Sequence, residues 1–441
     1  KLLKKLTFWA KKKNRKPLIL RGARQTGKTT VIALFAKEFD NYIYLNLELT
    51  EDKEVFSKPL AVHDCVQLIL LSKNITLKPG RTLIFIDEIQ NSPIAVGLMR
   101  YFYESLPEYH VIAAGSLLEI LMEKENISFP VGRVEFEFLY PMSFEEFLLA
   151  SGNDTAIGYY NTVPCPDFAI PSLLKLFHNY TMLGGMPEIL SRYFAGESIS
   201  QLQSVYQSLM YSYSDDISKY ASSRSQEQIL RFAIEVLSFE AGKRIKFQGF
   251  GNSNYRSREI GEALRILQRA MLIRLVYPTT NFILPSMANY KKAPKLQFLD
   301  TGLLNYKVGL QAEFIKYDSL HAFYRGLIAE HVVGQELQTN LQQDLLFWTR
   351  EEKHSNAELD FVMNIEGNLL PIEVKSGKVG RLRSLHQFMD HSTIAQAIRL
   401  YDGNLEIQNT STITGNNFQL LNLPYCFAGK IAEYYQWMNG I

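Results

Sequence analysis

One short segment, GARQTGKT at residues 22 to 29, restricts the fold of this chain more than any other stretch. It follows an apolar run, PLILR, which predicts a buried strand, and it runs on into TTVIALFAKEF, which predicts a helix. Its glycines let the backbone curve around a compact anion, so that main-chain N–H groups and the helix N-terminus face that anion. This strand–loop–helix pattern is typical of a loop that binds nucleotide phosphates.

The motif assigns nucleotide-binding roles to consecutive residues. Lys28 is expected to reach the β- and γ-phosphates of ATP, and the Thr29 hydroxyl is expected to bind Mg²⁺. Arg24 is a further candidate for a γ-phosphate contact. The predicted ATP-binding residues are Gly22, Ala23, Arg24, Gln25, Thr26, Gly27, Lys28, Thr29 and Thr30.

A second apolar strand ends in two carboxylates, because RTLIFIDEIQ at residues 81 to 90 closes with Asp87 and Glu88 before a new apolar residue. Asp87 is predicted to belong to the Mg²⁺ shell, and Glu88 to orient and deprotonate the water that attacks the phosphate. An isolated Asp-Glu pair would also suit a helix start. Behind a complete phosphate loop, the hydrolase interpretation is favoured.

Two more polar residues are predicted near the same sheet edge. Ser116 ends the strand YHVIAAGS and would lie beside Glu88, since ligands bind at the carboxyl ends of parallel strands. It would equally serve as an N-cap for the next helix. Arg133 is either an arginine finger on a neighbouring subunit, a γ-phosphate sensor, or an ordinary surface arginine.

Strand-like and helix-like patterns alternate from Pro17 to about Ala150, which predicts a parallel, doubly wound α/β sheet. The predicted strands are 18–21, 42–47, 82–86, 109–114 and 134–138. The predicted helices are 28–38, 64–72, 94–105 and 116–123.

In order and spacing, these motifs resemble the AAA+ ATPases over residues 17 to 150. The chain also resembles a bacterial and archaeal branch of that superfamily. The segments that carry this resemblance are RGARQTGKT, Gly132-Arg133, PMSFEEF at 141–147, GGMPE at 184–188 and FLDTGLL at 298–304. The resemblance implies ATP and Mg²⁺ as cofactors, a helical lid and a C-terminal nuclease-like domain. A homo-oligomer formed through the AAA+ domains is a further expectation. The predicted domains are 1–150 (AAA+ core), 151–224 (lid), 225–305 (winged-helix-like module) and 306–441 (nuclease fold).

A second candidate site lies in the hairpin formed by ELDFVM and LPIEVKSGK. Asp360, Glu373 and Lys375 form a D…ExK pattern that resembles the restriction-endonuclease-like superfamily. The resemblance implies Mg²⁺ on Asp360 and Glu373, Lys375 assisting phosphodiester cleavage, and Glu330 on the preceding helix as a third metal ligand. The alternative is a charged hairpin on a solvated sheet face.

Composition adds few constraints. Lys plus Arg total 47 and Asp plus Glu total 45, which argues neither for nor against nucleic acid. The three cysteines are dispersed, which predicts a reducing cytoplasm, and no apolar run reaches the length of a membrane span. The basic N-terminus predicts a helix that packs on the first domain or that binds a membrane surface or nucleic acid.

Together, these patterns predict an ATPase whose nucleotide state gates DNA binding or metal-dependent DNA cleavage by the C-terminal domain. The alternative is an ATP-switched binding or regulatory protein whose nuclease fold is catalytically silent.

Overall fold

The structure, a computed structural model, describes residues 1–115, 132–311, 322–350, 357–377 and 380–440. The chain divides into two compact units. The first unit comprises residues 1–140, 216–222 and 265–272, and the second comprises 141–215, 223–264 and 273–441.

A parallel sheet of five strands forms the centre of the first unit. The strands are β1 (Leu18–Arg21), β2 (Asn41–Asn46), β3 (Thr82–Asp87), β4 (His110–Ala114) and β5 (Glu135–Phe138). Their order is β2-β3-β4-β1-β5, and all neighbouring pairs are parallel. The predicted doubly wound sheet is therefore confirmed. The loop after β1 lies where the strand order reverses, the place at which such sheets bind ligands.

Helices flank this sheet. The described helices of the first unit are Leu2–Ala10, Lys28–Phe35, Thr50–Glu54, Val62–Ser72, Pro93–Ser105 and Ile217–Tyr220, with 3-10 turns at Ala36–Glu38 and Ile89–Asn91. The predicted helix at 116–123 lies outside the described residues.

The basic N-terminal segment packs into this core. The helix Leu2–Ala10 buries Leu6 and Trp9 at a helical spacing, in the same apolar cluster as Leu18 and Leu20 of β1. On the outer side, Lys5 pairs with Glu137 at 2.9 Å. The helix therefore uses its apolar face for packing and leaves its lysines at the surface.

A mixed sheet of eight strands forms the core of the second unit. Its order is β12-β13-β11-β10-β9-β8-β6-β7. The strands are β6 (Ile273–Thr279), β7 (Lys295–Phe298), β8 (Leu346–Thr349), β9 (Glu358–Ile365), β10 (Asn368–Lys375), β11 (Gln396–Tyr401), β12 (Glu406–Ser411) and β13 (Asn417–Pro424). The sheet joins strands from both sides of residue 305, where the sequence suggests a domain boundary. The winged-helix-like module and the finer domain limits stay predictions.

The second unit is otherwise helical. Its described helices are Phe144–Ala150, Asp154–Asn161, Ile170–Leu183, Pro187–Phe194, Gln203–Asp215, Arg224–Glu240, Thr301–Lys307, Ala322–Leu341, Arg383–His391 and Ile431–Met438, with 3-10 turns at Asp167–Ala169, Phe250–Asn252 and Tyr425–Lys430. A further helix, Ser257–Arg269, has its residues from 265 onward in the first unit. Within the described residues, none of these helices is long and apolar enough to cross a membrane.

Candidate functional site

The loop between β1 and the helix Lys28–Phe35 has the backbone geometry that its glycines predict. Gly27 caps the helix in the left-handed region, with φ 93° and ψ 21°. A Cβ atom on Gly22 would lie 2.6 Å from the carbonyl oxygen of Leu139, which follows the neighbouring strand β5. Both positions therefore require glycine, one because of its conformation and the other because of close backbone packing.

Lys28 is buried at the start of the helix and points back over the loop. Its ammonium donates hydrogen bonds to the carbonyl oxygens of Gly22 and Ala23, both at 2.9 Å. Burial lowers the pKa of Lys28, although the carboxylates of Glu88 and Asp87 oppose that shift. These two hydrogen bonds go to neutral carbonyls, so the ammonium can exchange them for an anionic ligand without breaking an ion pair.

The Thr29 hydroxyl and Asp87 are in direct contact. Thr29 Oγ1 donates to Asp87 Oδ2 at 2.7 Å, which brings the first turn of the helix to the carboxyl end of β3. Burial raises the pKa of Asp87, while the hydrogen bond from Thr29 opposes that rise. A hydroxyl and a carboxylate side by side are hard oxygen ligands, so these two residues fit a Mg²⁺ ion.

Glu88 lies directly after β3, in the left-handed region at φ 50°. Its carboxylate accepts a hydrogen bond from Gln90 Nε2, and its own amide donates to Asp87 Oδ1 at 3.1 Å. A Cβ atom on Gly115 would lie 2.2 Å from Gln90 Oε1, so the ends of β3 and β4 meet at this point. Ser116 itself lies outside the described residues.

Two arginines that the sequence singles out form ion pairs within the first unit. Arg24 pairs with Asp216 at 2.6 Å and with Glu48 at 3.3 Å. Arg133 pairs with Glu104 at 3.0 Å, and its side chain remains 42% exposed. In this structure each arginine therefore has a carboxylate partner, and phosphate contacts by either remain predictions.

The residues of the D…ExK pattern lie together in the second unit. Strands β9 and β10 are antiparallel and pair Phe361 with Ile372, so Asp360 lies close to Glu373. The Val374 amide donates to Asp360 Oδ2 at 2.7 Å, and Lys375 donates to Glu373 Oε1. Burial raises the pKa of Glu373, and Asp360 adds to the rise.

A lysine that the sequence argument missed lies among these carboxylates. Lys295, the first residue of β7, is buried, and its ammonium lies 2.6 Å from Glu330, 2.7 Å from Glu358 and 3.7 Å from Asp360. Burial alone would lower the pKa of Lys295, but the three carboxylates outweigh it and raise that pKa. We call these charged residues, Lys295, Glu330, Glu358, Asp360, Glu373 and Lys375, the acidic cluster.

The acidic cluster does not fit a divalent metal ion as it stands. The sequence predicts Asp360, Glu373 and Glu330 as ligands of one ion, but in the described part of the chain no group of three His, Cys, Asp or Glu side chains has a metal-holding arrangement. The physical reason is that the Lys295 ammonium already lies between Glu330 and Asp360.

Comparison with known families agrees with the sheet and the phosphate loop. Residues 14–148 match a family described as an AAA domain. The first unit has the fold of a P-loop AAA+ protein. Two further matches, at residues 174–313 and 325–425, are to families described as domains of unknown function. These descriptions leave the predicted endonuclease-like assignment unconfirmed.

Solved structures with weak similarity include several ATPases and DNA-associated proteins. A Walker-type ATPase of Pyrococcus abyssi is 15% identical and has a TM-score of 0.44, with 69% of this chain and 94% of that chain covered. The RuvB Holliday junction branch migration motor of Thermotoga maritima is 16% identical, with a TM-score of 0.26 and coverages of 66% and 92%. The Aeropyrum pernix ORC1 protein in complex with DNA is 12% identical, with a TM-score of 0.29 and coverages of 72% and 92%. These scores establish no shared domain arrangement. No curated protein matches the sequence significantly.

Proposed function

We propose that this AAA+ chain is a Mg²⁺-dependent ATPase. The observation that carries the proposal is the 2.7 Å hydrogen bond from the Thr29 hydroxyl to Asp87, formed beside the buried ammonium of Lys28. It brings a phosphate-binding loop, an oxygen ligand pair and a cation to one sheet edge, which is the equipment that phosphoryl transfer requires.

Each residue then has a distinct role. Thr29 and Asp87 would hold Mg²⁺, which neutralises phosphate charge when it is bound. Lys28 transfers its hydrogen bonds from the loop carbonyls to the phosphates, and the loop amides bind the same oxygens. Glu88 orients water and accepts its proton, a role for which its position next to Asp87 is suited.

The test separates ATP binding from hydrolysis. Lys28→Ala should abolish ATP binding, because it removes the buried cation. Glu88→Gln should bind ATP but hydrolyse it about 100-fold more slowly or worse, since general-base groups contribute factors of this order. Calorimetry and phosphate release measure the two steps, and Lys37→Ala, which alters an exposed lysine, is the control. Wild-type protein that takes up no ATP would refute the proposal.

We further propose that the ATPase cycle controls DNA engagement by the second unit, in the binding rather than the cleaving mode. A cleft of about 390 Å³ beside Glu358 is lined by three basic side chains, Arg244, Lys292 and Arg350. Basic side chains of this kind neutralise backbone phosphates without reading sequence. Lys295 in the acidic cluster supports binding without cleavage.

The same variants provide the DNA measurement. The affinity for labelled duplex DNA is measured in two states, Glu88→Gln with ATP and wild type with ADP. The two affinities should differ, and added salt should weaken DNA binding in both states. Lys292→Ala should reduce the slope of log affinity against log salt by about one. Equal affinities in the two nucleotide states would remove the coupling from the proposal but leave the ATPase intact.

A further inference from the structure

We propose that Lys295 is the built-in cation of the acidic cluster, and that its ammonium occupies the position that a divalent metal ion would need. The acidic cluster would then exclude Mg²⁺ and Mn²⁺. The inference deepens the binding-without-cleavage part of the proposed function and does not depend on the ATPase part.

The position of Lys295 is set by the sheet. It opens β7, whose pairing with β6 matches Lys295 to Val276. Its ammonium also lies 5.1 Å from the centre of the Phe347 ring on β8. The side chain is therefore held by paired strands on one side and an aromatic ring on the other, and its exposed fraction is only 7%.

The carboxylates converge on this ammonium from different elements. Glu330 comes from the helix Ala322–Leu341, whereas Glu358 and Asp360 come from the same face of β9. A lysine ammonium has three hydrogen-bond donors and no acceptor. Glu330 and Glu358 lie within hydrogen-bond distance of it, at 2.6 Å and 2.7 Å, and Asp360 adds an ion pair at 3.7 Å. The negative charge of these carboxylates is therefore already compensated by a cation from the chain itself.

The remaining groups leave little for a metal ion to bind. Asp360 Oδ2 already accepts from the Val374 amide, and Glu373 Oε1 accepts from Lys375. The cavity lined by Lys295, Glu330 and Phe361 measures about 10 Å³, close to the space of one water molecule. Mg²⁺ requires six oxygen ligands and usually retains several waters, so it cannot share this space with an ammonium.

One atom indicates what removal of the lysine would expose. Glu373 Oε2 is buried and has no hydrogen-bond partner. With the Lys295 charge removed, the carboxylates of Glu330, Glu358 and Asp360 would lose their shared cation. The Glu373 carboxylate, which interacts electrostatically with Asp360, would add to the negative charge nearby. Ligand charge sets the affinity of such a site for a hard cation, so a metal ion would then bind there.

The experiment measures Mn²⁺ uptake by electron paramagnetic resonance in full-length protein without nucleotide or DNA. Wild type and Lys295→Arg should take up no Mn²⁺ at the acidic cluster. Lys295→Met should take up Mn²⁺ there, with a bound signal at least about tenfold above that of wild type, because three carboxylates lose their shared cation. The double variant Lys295→Met/Asp360→Asn should lose that gain.

The wild-type measurement decides the question even if Lys295→Met fails to fold. Wild-type uptake that disappears in Asp360→Asn would overturn the proposal, because the centre would then be an ordinary metal site. Equal titrations of wild type and Asp360→Asn would support it. Because the Mn²⁺ titration contains no nucleotide, its outcome does not depend on ATP binding. A separate failure of wild-type protein to bind ATP would count against the ATPase proposal alone.

Discussion

Two buried lysines lie beside carboxylates in this molecule, and their surroundings differ. Lys28 in the first unit hydrogen-bonds to the neutral carbonyls of its own loop, and its pKa is lowered. Lys295 in the second unit contacts three carboxylates directly, and its pKa is raised. A buried ammonium that is hydrogen-bonded only to neutral groups retains its attraction for an incoming anion. An ammonium already neutralised by anions has a structural role instead.

The largest expected difference between the two lysines is in stability. Lys295→Met should destabilise the second unit by about 3–5 kcal/mol, because it leaves buried carboxylates without a compensating cation. Lys28→Met should change the stability of the first unit by about 1 kcal/mol or less, since only neutral carbonyls lose a partner. Hydrogen exchange of the β9 and β10 amides measures the stability of the second unit, and exchange of the β1 and β3 amides measures that of the first unit. If Lys28→Met proves as damaging as Lys295→Met, the contrast between the lysines fails.

A glycine at each site gives a smaller, second contrast. Gly22→Ala should weaken ATP binding by about tenfold or more, because the new Cβ meets the backbone oxygen of Leu139 at 2.6 Å and the loop must move. Gly380→Ala should have little effect on the acidic cluster. Its Cβ would lie 2.8 Å from Lys375 Cδ, which is part of a flexible side chain. Calorimetry of ATP binding and thermal unfolding would measure the two effects, and unchanged ATP affinity in Gly22→Ala would contradict the loop geometry.

The smallest contrast concerns pH. Burial lowers the pKa of His110 in the first unit to about 4, whereas burial raises the pKa of Asp300 in the second unit to about 6. The unfolded chain binds a proton at His110 more readily, so this contribution to stability falls as the pH drops from about 6.5 to 4. For Asp300 the folded state binds the proton more readily, so its contribution falls as the pH rises from about 4 to 6.

The His110→Gln variant tests this sign. Glutamine can still donate to the Ala10 carbonyl, which His110 contacts at 3.3 Å, but it does not titrate. The variant should retain about 1–2 kcal/mol more stability than wild type at pH 4.5, relative to their difference at pH 7.5. Unfolding followed through the first-unit amides is the measurement, and parallel pH profiles would exclude His110 as the acid-sensitive group.

The two sites also differ in how far sequence could predict them. The phosphate loop is contiguous, and Asp87 and Glu88 directly follow a fully buried strand, so local pattern was sufficient to place Lys28, Thr29 and Asp87 on one sheet edge. The acidic cluster was only partly visible. The hairpin pattern predicted that Asp360 and Glu373 would lie close together. The ammonium that pairs with the carboxylates of the cluster comes from Lys295, which lies on a short strand in the segment that matches a different family.

No local signal identified Lys295, because KLQF looks like any short strand with one polar end. The pairing of β6 with β8 brings it to the cluster, and such pairing between distant segments leaves no periodic trace in the sequence. A buried D…ExK hairpin, however, implies surplus negative charge. Such a surplus requires a compensating cation from elsewhere in the chain, because an unpaired buried charge is costly.

The eight-stranded sheet has a practical consequence for work on fragments. A piece that begins at residue 306 would omit β6 and β7, so the backbone groups of β8 would lose their partner strand and become an open edge. Glu358 and Asp360 would also lack the ammonium that neutralises them in the whole chain. Metal uptake or DNA cutting by such a piece would report the truncation rather than the native protein.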